Sequence, residues 1–301
     1  MNETPLIIEA AINGATPKAR NPNVPRSPEE IAIDGLACLE AGAAIVHNHN
    51  DEPVVGGRDG VHSAATYIAA WRAILAVRPD ALLYPTMASG GPHTSIEERY
   101  AHIPALAEAG VLRVGLVDPG CVNVGGTDSE GLPAAHDTTY VNTFRDARHM
   151  FDTCTELRLG PSISCFEPGF VRVAMRYAKA GRMPQGALVK FYFGGDSSNF
   201  GLPPTEKALE AYIEMVEPSG LPWSVAVLGG DVAACGMAKL AIERGGHVRV
   251  GLEDYVGPRT PANAELVREV VRIAEEAGRK VASCAEAATI LGLPRGPWTP
   301  A

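Results

Sequence analysis

The sequence predicts a (β/α)8 barrel, a TIM barrel, and three observations carry the prediction. Short apolar runs alternate with helix-patterned segments along the whole chain. Eight such pairs in 301 residues give roughly 38 residues per unit, the spacing expected of this barrel. The runs are near-continuously apolar, as parallel strands covered on both faces must be. A doubly wound open sheet also alternates β and α, but no Gly-x-Gly-x-x-Gly follows the first run. Residues 1–301 are therefore read as a single (β/α)8-barrel domain with a short extra C-terminal helix.

The first run, residues 5–11, is bounded by Pro5 and by Asn13-Gly14 and reads as a buried strand. The first helix starts at Ser27-Pro28-Glu29-Glu30. Serine caps, proline suits the first helical position, and Glu30 completes a capping box. It stops at Ala41-Gly42, where glycine takes the left-handed position. Further strands are expected over 44–49, 81–86, 111–117, 161–167, 187–193, 223–228 and 247–252. Further helices are expected over 62–77, 95–110, 138–157, 169–180, 205–217, 233–244 and 263–278. A second capping box, Ser283-Cys284-Ala285-Glu286, opens the extra helix. The loop from Asp118 to Asp137 is long for a βα connection and reads as a lid.

Composition narrows the function classes. The net charge of −9, with no basic stripe, argues against a nucleic-acid partner. No stretch of about 18 apolar residues predicts a membrane span, and the first residues lack the basic and apolar segments of a signal peptide. The six cysteines (Cys38, Cys121, Cys154, Cys165, Cys235, Cys284) form no CxxC pair. In a chain this long they read as reduced thiols of a cytoplasmic protein.

In such barrels chemistry sits at the C-terminal strand ends. The second strand ends in Val46-His47-Asn48-His49, and residues two apart on a strand point the same way. The eighth ends in Val250-Gly251-Leu252-Glu253-Asp254. Two histidines and one carboxylate make a catalytic rather than structural metal site, with coordination positions left open. Glu253 and Glu9 are the competing carboxylates. Asp254 beside the site is a natural general base. Arg249 must be paired inside an apolar strand and reads as a carboxylate anchor, while His247, at the start of its strand, reads as structural. Asp118, Cys121 and Glu167 fall at other strand ends. Ser89-Gly90-Gly91 and Gly194-Gly195-Asp196-Ser197-Ser198 are Gly-rich loops whose amides could approach an anion such as a CoA phosphate.

Several segments resemble those of the β-keto acid cleavage enzymes. The most specific is Gly245-Gly246-His247-Val248-Arg249-Val250-Gly251-Leu252-Glu253-Asp254. Pro5-Leu6-Ile7-Ile8 through Asn13-Gly14-Ala15, the Ser27-Pro28-Glu29-Glu30 helix start, Ala41-Gly42-Ala43 before His47-x-His49, and Trp223-Ser224-Val225 also fit. The resemblance spans nearly the whole chain. It implies a Zn2+ ion, or another divalent transition metal, on His47, His49 and Glu253, which decides for Glu253 over Glu9. It implies conversion of a β-keto acid and acetyl-CoA, the co-substrate, into acetoacetate and a new acyl-CoA, with the ion stabilising an enolate. Asp254 would be the base, with Arg249 assisting it. Ser89, Gly90, Gly91, Asp118, Cys121 and Glu167 are assigned to substrate and CoA contacts, and a homo-oligomer, dimer or tetramer, is expected. The chain departs from the family pattern at Asn50-Asp51-Glu52, Asp118-Pro119-Gly120-Cys121, Ser162-Ile163-Ser164 and Gly229-Gly230. Several of these positions line the expected pocket and bear on which keto acid is used.

Two other readings compete. Metal-dependent amidohydrolase-like hydrolases on the same barrel also open with His-x-His at a strand end, but need further histidines at later strand ends. Here His62, His93, His102, His136 and His149 fall in expected helices or loops. A binding protein that senses a small acid would show lost ligands, and none is lost.

Overall fold

The computed structural model describes residues 4–50, 61–88, 94–135 and 139–294. Eight parallel strands form a nearly closed barrel: β1 (Ile8–Ala11), β2 (Ile45–Asn48), β3 (Leu82–Pro85), β4 (Val114–Val117), β7 (Gly160–Cys165), β8 (Leu188–Gly194), β9 (Trp223–Leu228) and β10 (His247–Val250). The hydrogen-bonded order is β3-β2-β1-β10-β9-β8-β7-β4. β3 and β4 lie side by side, but no ladder joins them among the described residues. The remaining strands, β5 (Val122–Asn123) and β6 (Thr139–Tyr140), pair antiparallel beyond the end of β4.

Helices fill the connections: α1 (Pro28–Ala41), α2 (Ala64–Val77), α3 (Ile96–Tyr100), α4 (His102–Glu108), α5 (Phe144–Glu156), α6 (Pro168–Lys179), α7 (Glu206–Val216), α8 (Met237–Glu243), α9 (Asn263–Glu276) and α10 (Cys284–Leu291). The capping boxes expected at Ser27 and Ser283 are both present, and α10 is the expected extra helix. Among the described residues, no helix is long and apolar enough to cross a membrane. All six cysteines are free; Cys38, Cys154, Cys165 and Cys284 are buried, and Cys121 and Cys235 are exposed.

Several elements differ in their bounds from the sequence expectation, and four of the differences have a local cause. The helix expected over 95–110 breaks at Ala101 into α3 and α4. Pro104 explains the break: it has no N–H for the Tyr100 carbonyl, and its ring crowds that carbonyl. The helix expected from 138 begins only at Phe144, because Thr143 caps it and Thr139–Tyr140 is drawn into β6. The helix expected over 233–244 begins at Met237. Asp231 Oδ1 accepts from the N–H groups of Ala233 and Ala234 to form a separate turn, and Gly236 interrupts at φ +81°. The eighth strand stops at Val250, where Gly251 turns out of the ladder at φ +151°.

Candidate metal centre and active site

The chain ends of β2 and β10 meet across β1. β1 pairs with both, matching Ala11 to His47 and Glu9 to Arg249. Asn48 lies between the two histidines in sequence and points away from them, accepting a 2.8 Å hydrogen bond from Trp71 Nε1 on α2. That contact fixes the strand's facing, so His47 and His49 both turn toward Glu253. Asn13 holds the backbone of His49 from both sides. Its Oδ1 accepts from the His49 N–H at 2.8 Å, and its Nδ2 donates to the His49 carbonyl at 2.9 Å.

The turn after β10 delivers Glu253 and Asp254. The Glu253 N–H donates to the Ala11 carbonyl at 3.1 Å, and the Asp254 N–H to the Gly251 carbonyl at 3.2 Å. Two glycines make this approach possible. A Cβ on Gly251 would lie 2.0 Å from the Ala11 carbonyl oxygen, and one on Gly14 would lie 2.2 Å from Glu253 Cγ. Asn263 pins the turn from outside, accepting from the Leu252 N–H and donating to the Ile12 carbonyl, each at 2.8 Å.

His47 Nε2 lies 3.2 Å from Glu253 Oε2, and His49 Nε2 lies 3.3 Å from Glu253 Oε1. One ligand atom from each of the three residues falls within 4.8 Å of the other two. Ligands about 2.0–2.1 Å from a tetrahedral ion stand roughly 3.3 Å apart, so the donor set fits a divalent ion. Glu253 Oε2 supports this fit, being buried without a hydrogen-bond partner among the described residues. Burial pushes the His47 imidazole down to about 4, which keeps it neutral, as a ligand must be. Burial opposes the charge on Glu253, but Arg249, His47 and His49 outweigh it and hold the carboxyl well below its usual range.

Arg249 organises the acidic groups. Its Nε and Nη2 donate to Asp254 at 2.7 and 3.0 Å. Nη2 also lies 2.8 Å from Glu253 Oε1, and Nη1 reaches Glu9 Oε1 at 3.0 Å. Burial raises the Asp254 carboxyl, with Arg249 pulling the other way. Behind Arg249, Glu9, Tyr84 and Lys190 form a buried polar cluster. Burial disfavours the Glu9 charge, yet Lys190 and Arg249 bring its carboxyl down to about 2. Glu9 is therefore engaged below the cluster of His47, His49 and Glu253. Sequence reasoning weighed it only as a ligand and missed Lys190 and Tyr84 altogether; a lysine inside an otherwise apolar strand run was the available signal.

A cleft of about 470 Å³ opens over His49, Glu253 and Asp254. Its other walls include Thr16, Pro17 and Arg20 from the loop after β1, Gly125 and Gly126 from the loop after β4, and Ser197 and Ser198 after β8. Asn199 joins two of these walls, its Nδ2 donating to the Gly126 carbonyl at 2.8 Å. The other sequence-predicted residues that the structure describes lie outside this cleft. Asp118 is buried at the end of β4, accepting from the Tyr140 hydroxyl at 2.5 Å. Cys121 and Glu167 line a separate cleft of about 580 Å³ with Phe170 and Arg176. Glu167 Oε1 accepts from the Gly201 N–H at 2.9 Å. Ser89, Gly90 and Gly91 lie outside the described residues, as do Asp51, Glu52, His93 and His136.

Residues 5–293 match the family described as beta-keto acid cleavage enzyme. The chain is 34% identical over 295 residues to the 3-keto-5-aminohexanoate cleavage enzyme of Acetoanaerobium sticklandii, covering 96% of this chain and 98% of that protein. It is 28% identical over 311 residues to the 3-oxoadipate:acetyl-CoA acetyltransferase of Cupriavidus necator, covering 98% and 99%. Among solved structures it is similar to ObcA in a ternary complex with a C4-CoA adduct and oxalate. That match has a TM-score of 0.65 and 19% identity over 92% of this chain and 68% of that one; at such identity it speaks for the barrel fold. Sequence likeness that runs almost from end to end makes this chain a member of the β-keto acid cleavage enzyme family.

Proposed function

We propose that the protein transfers an acyl group between a β-keto acid and acetyl-CoA, releasing acetoacetate and a new acyl-CoA, with a divalent ion, zinc or a similar transition metal, on His47, His49 and Glu253. The observation that carries this reading is the meeting of those three side chains at the floor of a cleft that His49, Glu253 and Asp254 line. When bound, the ion supplies a Lewis-acid charge that favours negative charge on the keto acid's oxygens. Asp254 takes a proton from the carbon between ketone and carboxylate, and Arg249 orients it through two hydrogen bonds. The carbon then bonds to the acetyl carbonyl carbon, and CoA leaves as thiolate. The thiolate attacks the original ketone, the bond from that ketone to the central carbon breaks, and the proton returns to that carbon. Acetyl-CoA as co-substrate is supported by the Cupriavidus relative, a 3-oxoadipate:acetyl-CoA acetyltransferase.

The side chain of the keto acid faces Arg20. Among the described residues lining the cleft, Arg20 is the only cation, and the two carboxylates are already held by Arg249. Acidic or neutral keto acids are therefore expected to be used ahead of amines. The experiment mixes purified protein with acetyl-CoA and a panel that includes 3-oxoadipate and 3-keto-5-aminohexanoate, and measures acetoacetate and acyl-CoA together. We expect both products in equal amounts, with 3-oxoadipate preferred. Acetoacetate without acyl-CoA would point to hydrolysis and end the transfer reading.

A further inference from the structure

Lys190 stands inside the barrel on β8, fully buried, and the reaction above has no use for it. A buried lysine costs desolvation and persists only with partners. Its Nζ donates to Glu9 Oε1 at 2.7 Å and to the Tyr84 hydroxyl at 2.6 Å, while Tyr84 donates to the same Glu9 oxygen at 2.5 Å. The rings of Tyr84 and Tyr192 lie 5.1 and 5.8 Å from Nζ. Arg249 Nη1 reaches that Glu9 oxygen too, at 3.0 Å. Two cations thus share one carboxylate oxygen, and the shorter contact belongs to Lys190. The other oxygen, Glu9 Oε2, is buried with no hydrogen-bond partner among the described residues.

We infer that Lys190 is a positioning residue: by neutralising Glu9 it limits that carboxylate to one edge of Arg249 and leaves the Nε and Nη2 edge for Asp254. Without the lysine, Arg249 is the only cation left within contact of Glu9 among the described residues. Glu9 Oε2 is an open acceptor that draws the guanidinium into a two-point pair, since Arg and carboxylate favour that geometry. Asp254 then loses its own two-point hold and its aim into the cleft. The kinetic consequence rests on the proposed acyl transfer; the structural consequence does not.

The test compares wild type, Lys190→Met and the charge-balanced double variant Lys190→Met/Glu9→Gln by crystallography and steady-state kinetics on the folded fraction. In Lys190→Met we expect the Arg249–Asp254 contacts of 2.7 and 3.0 Å to open and the guanidinium to turn to Glu9. The same variant should lose kcat by about tenfold or more, with KM within about twofold, and the double variant should regain most of it. Unchanged Arg249–Asp254 contacts in Lys190→Met, or a double variant no better than the single, overturn the inference. If Lys190→Met does not fold, the double variant decides, since it should fold and keep Arg249 on Asp254. A wild type inactive on every keto acid tested would sink the acyl-transfer reading, whereas the crystal structures would still decide the role of Lys190.

Discussion

Glu253 and Asp254 are adjacent, yet their surroundings separate their tasks. Glu253 faces two imidazoles and Arg249, so its charge is favoured and it suits an ion. Among the described residues, the Asp254 side chain takes its hydrogen bonds from Arg249, and burial raises its carboxyl, which suits a group that takes up and returns a proton. Asp254→Asn should therefore keep its metal, measured by elemental analysis, while turnover falls by about 10²–10⁴-fold. Loss of the ion in that variant, or near-wild-type turnover, would contradict the division. His47 and His49 were legible in the sequence because strand parity sets their common facing. Glu253 was one of two carboxylates until the strand-ten resemblance chose it. Lys190 and Tyr84 were not legible, since their roles depend on partners from β1 and β10 that no local pattern reveals.

At the scale of elements, the alternation of strand and helix was readable because each unit carries its own punctuation, such as the caps at Ser27, Ser95 and Ser283. Boundaries slipped where one residue overrides a periodic pattern, as Pro104 and Gly236 do. β10 shows how an element is tied in place. Its first residue, His247, accepts from the Ile7 N–H through Nδ1 at 3.0 Å, which requires an unprotonated ring. Burial, with Arg279 nearby, pushes this imidazole down to about 3. The unfolded chain titrates near the ordinary value of about 6.5, so it binds the proton first as pH falls. The contribution of His247 is complete above about pH 6.5 and is lost toward pH 3, at about 1.4 kcal/mol per pH unit. Urea unfolding at pH 7.5 and 5.0 should show His247→Gln losing about 2 kcal/mol less stability than wild type over that interval. Equal losses would contradict a neutral His247.

At the scale of the whole molecule, the barrel brings together groups that are distant in the chain. His47 and Glu253 approach to 3.2 Å across β1, and no short segment could supply the set. An ion that binds only the folded arrangement stabilises the whole chain by mass action, by about 2.7 kcal/mol when free metal is a hundredfold above Kd. The cleft is likewise a product of closure, its walls coming from the loops after β1, β4 and β8 as well as the turn after β10. The sequence assigned Cys121 and Glu167 to substrate and CoA contacts; the structure brings these two together in a second cleft, with Phe170 and Arg176. The measurement that tests the central claim most directly is metal content per chain, with thermal unfolding, for wild type and His47→Ala after equilibration with zinc. The account predicts one bound ion and a raised unfolding temperature in the wild type, with both lost in His47→Ala. A wild type that binds no divalent metal, or a His47→Ala variant that binds it equally well, would contradict it.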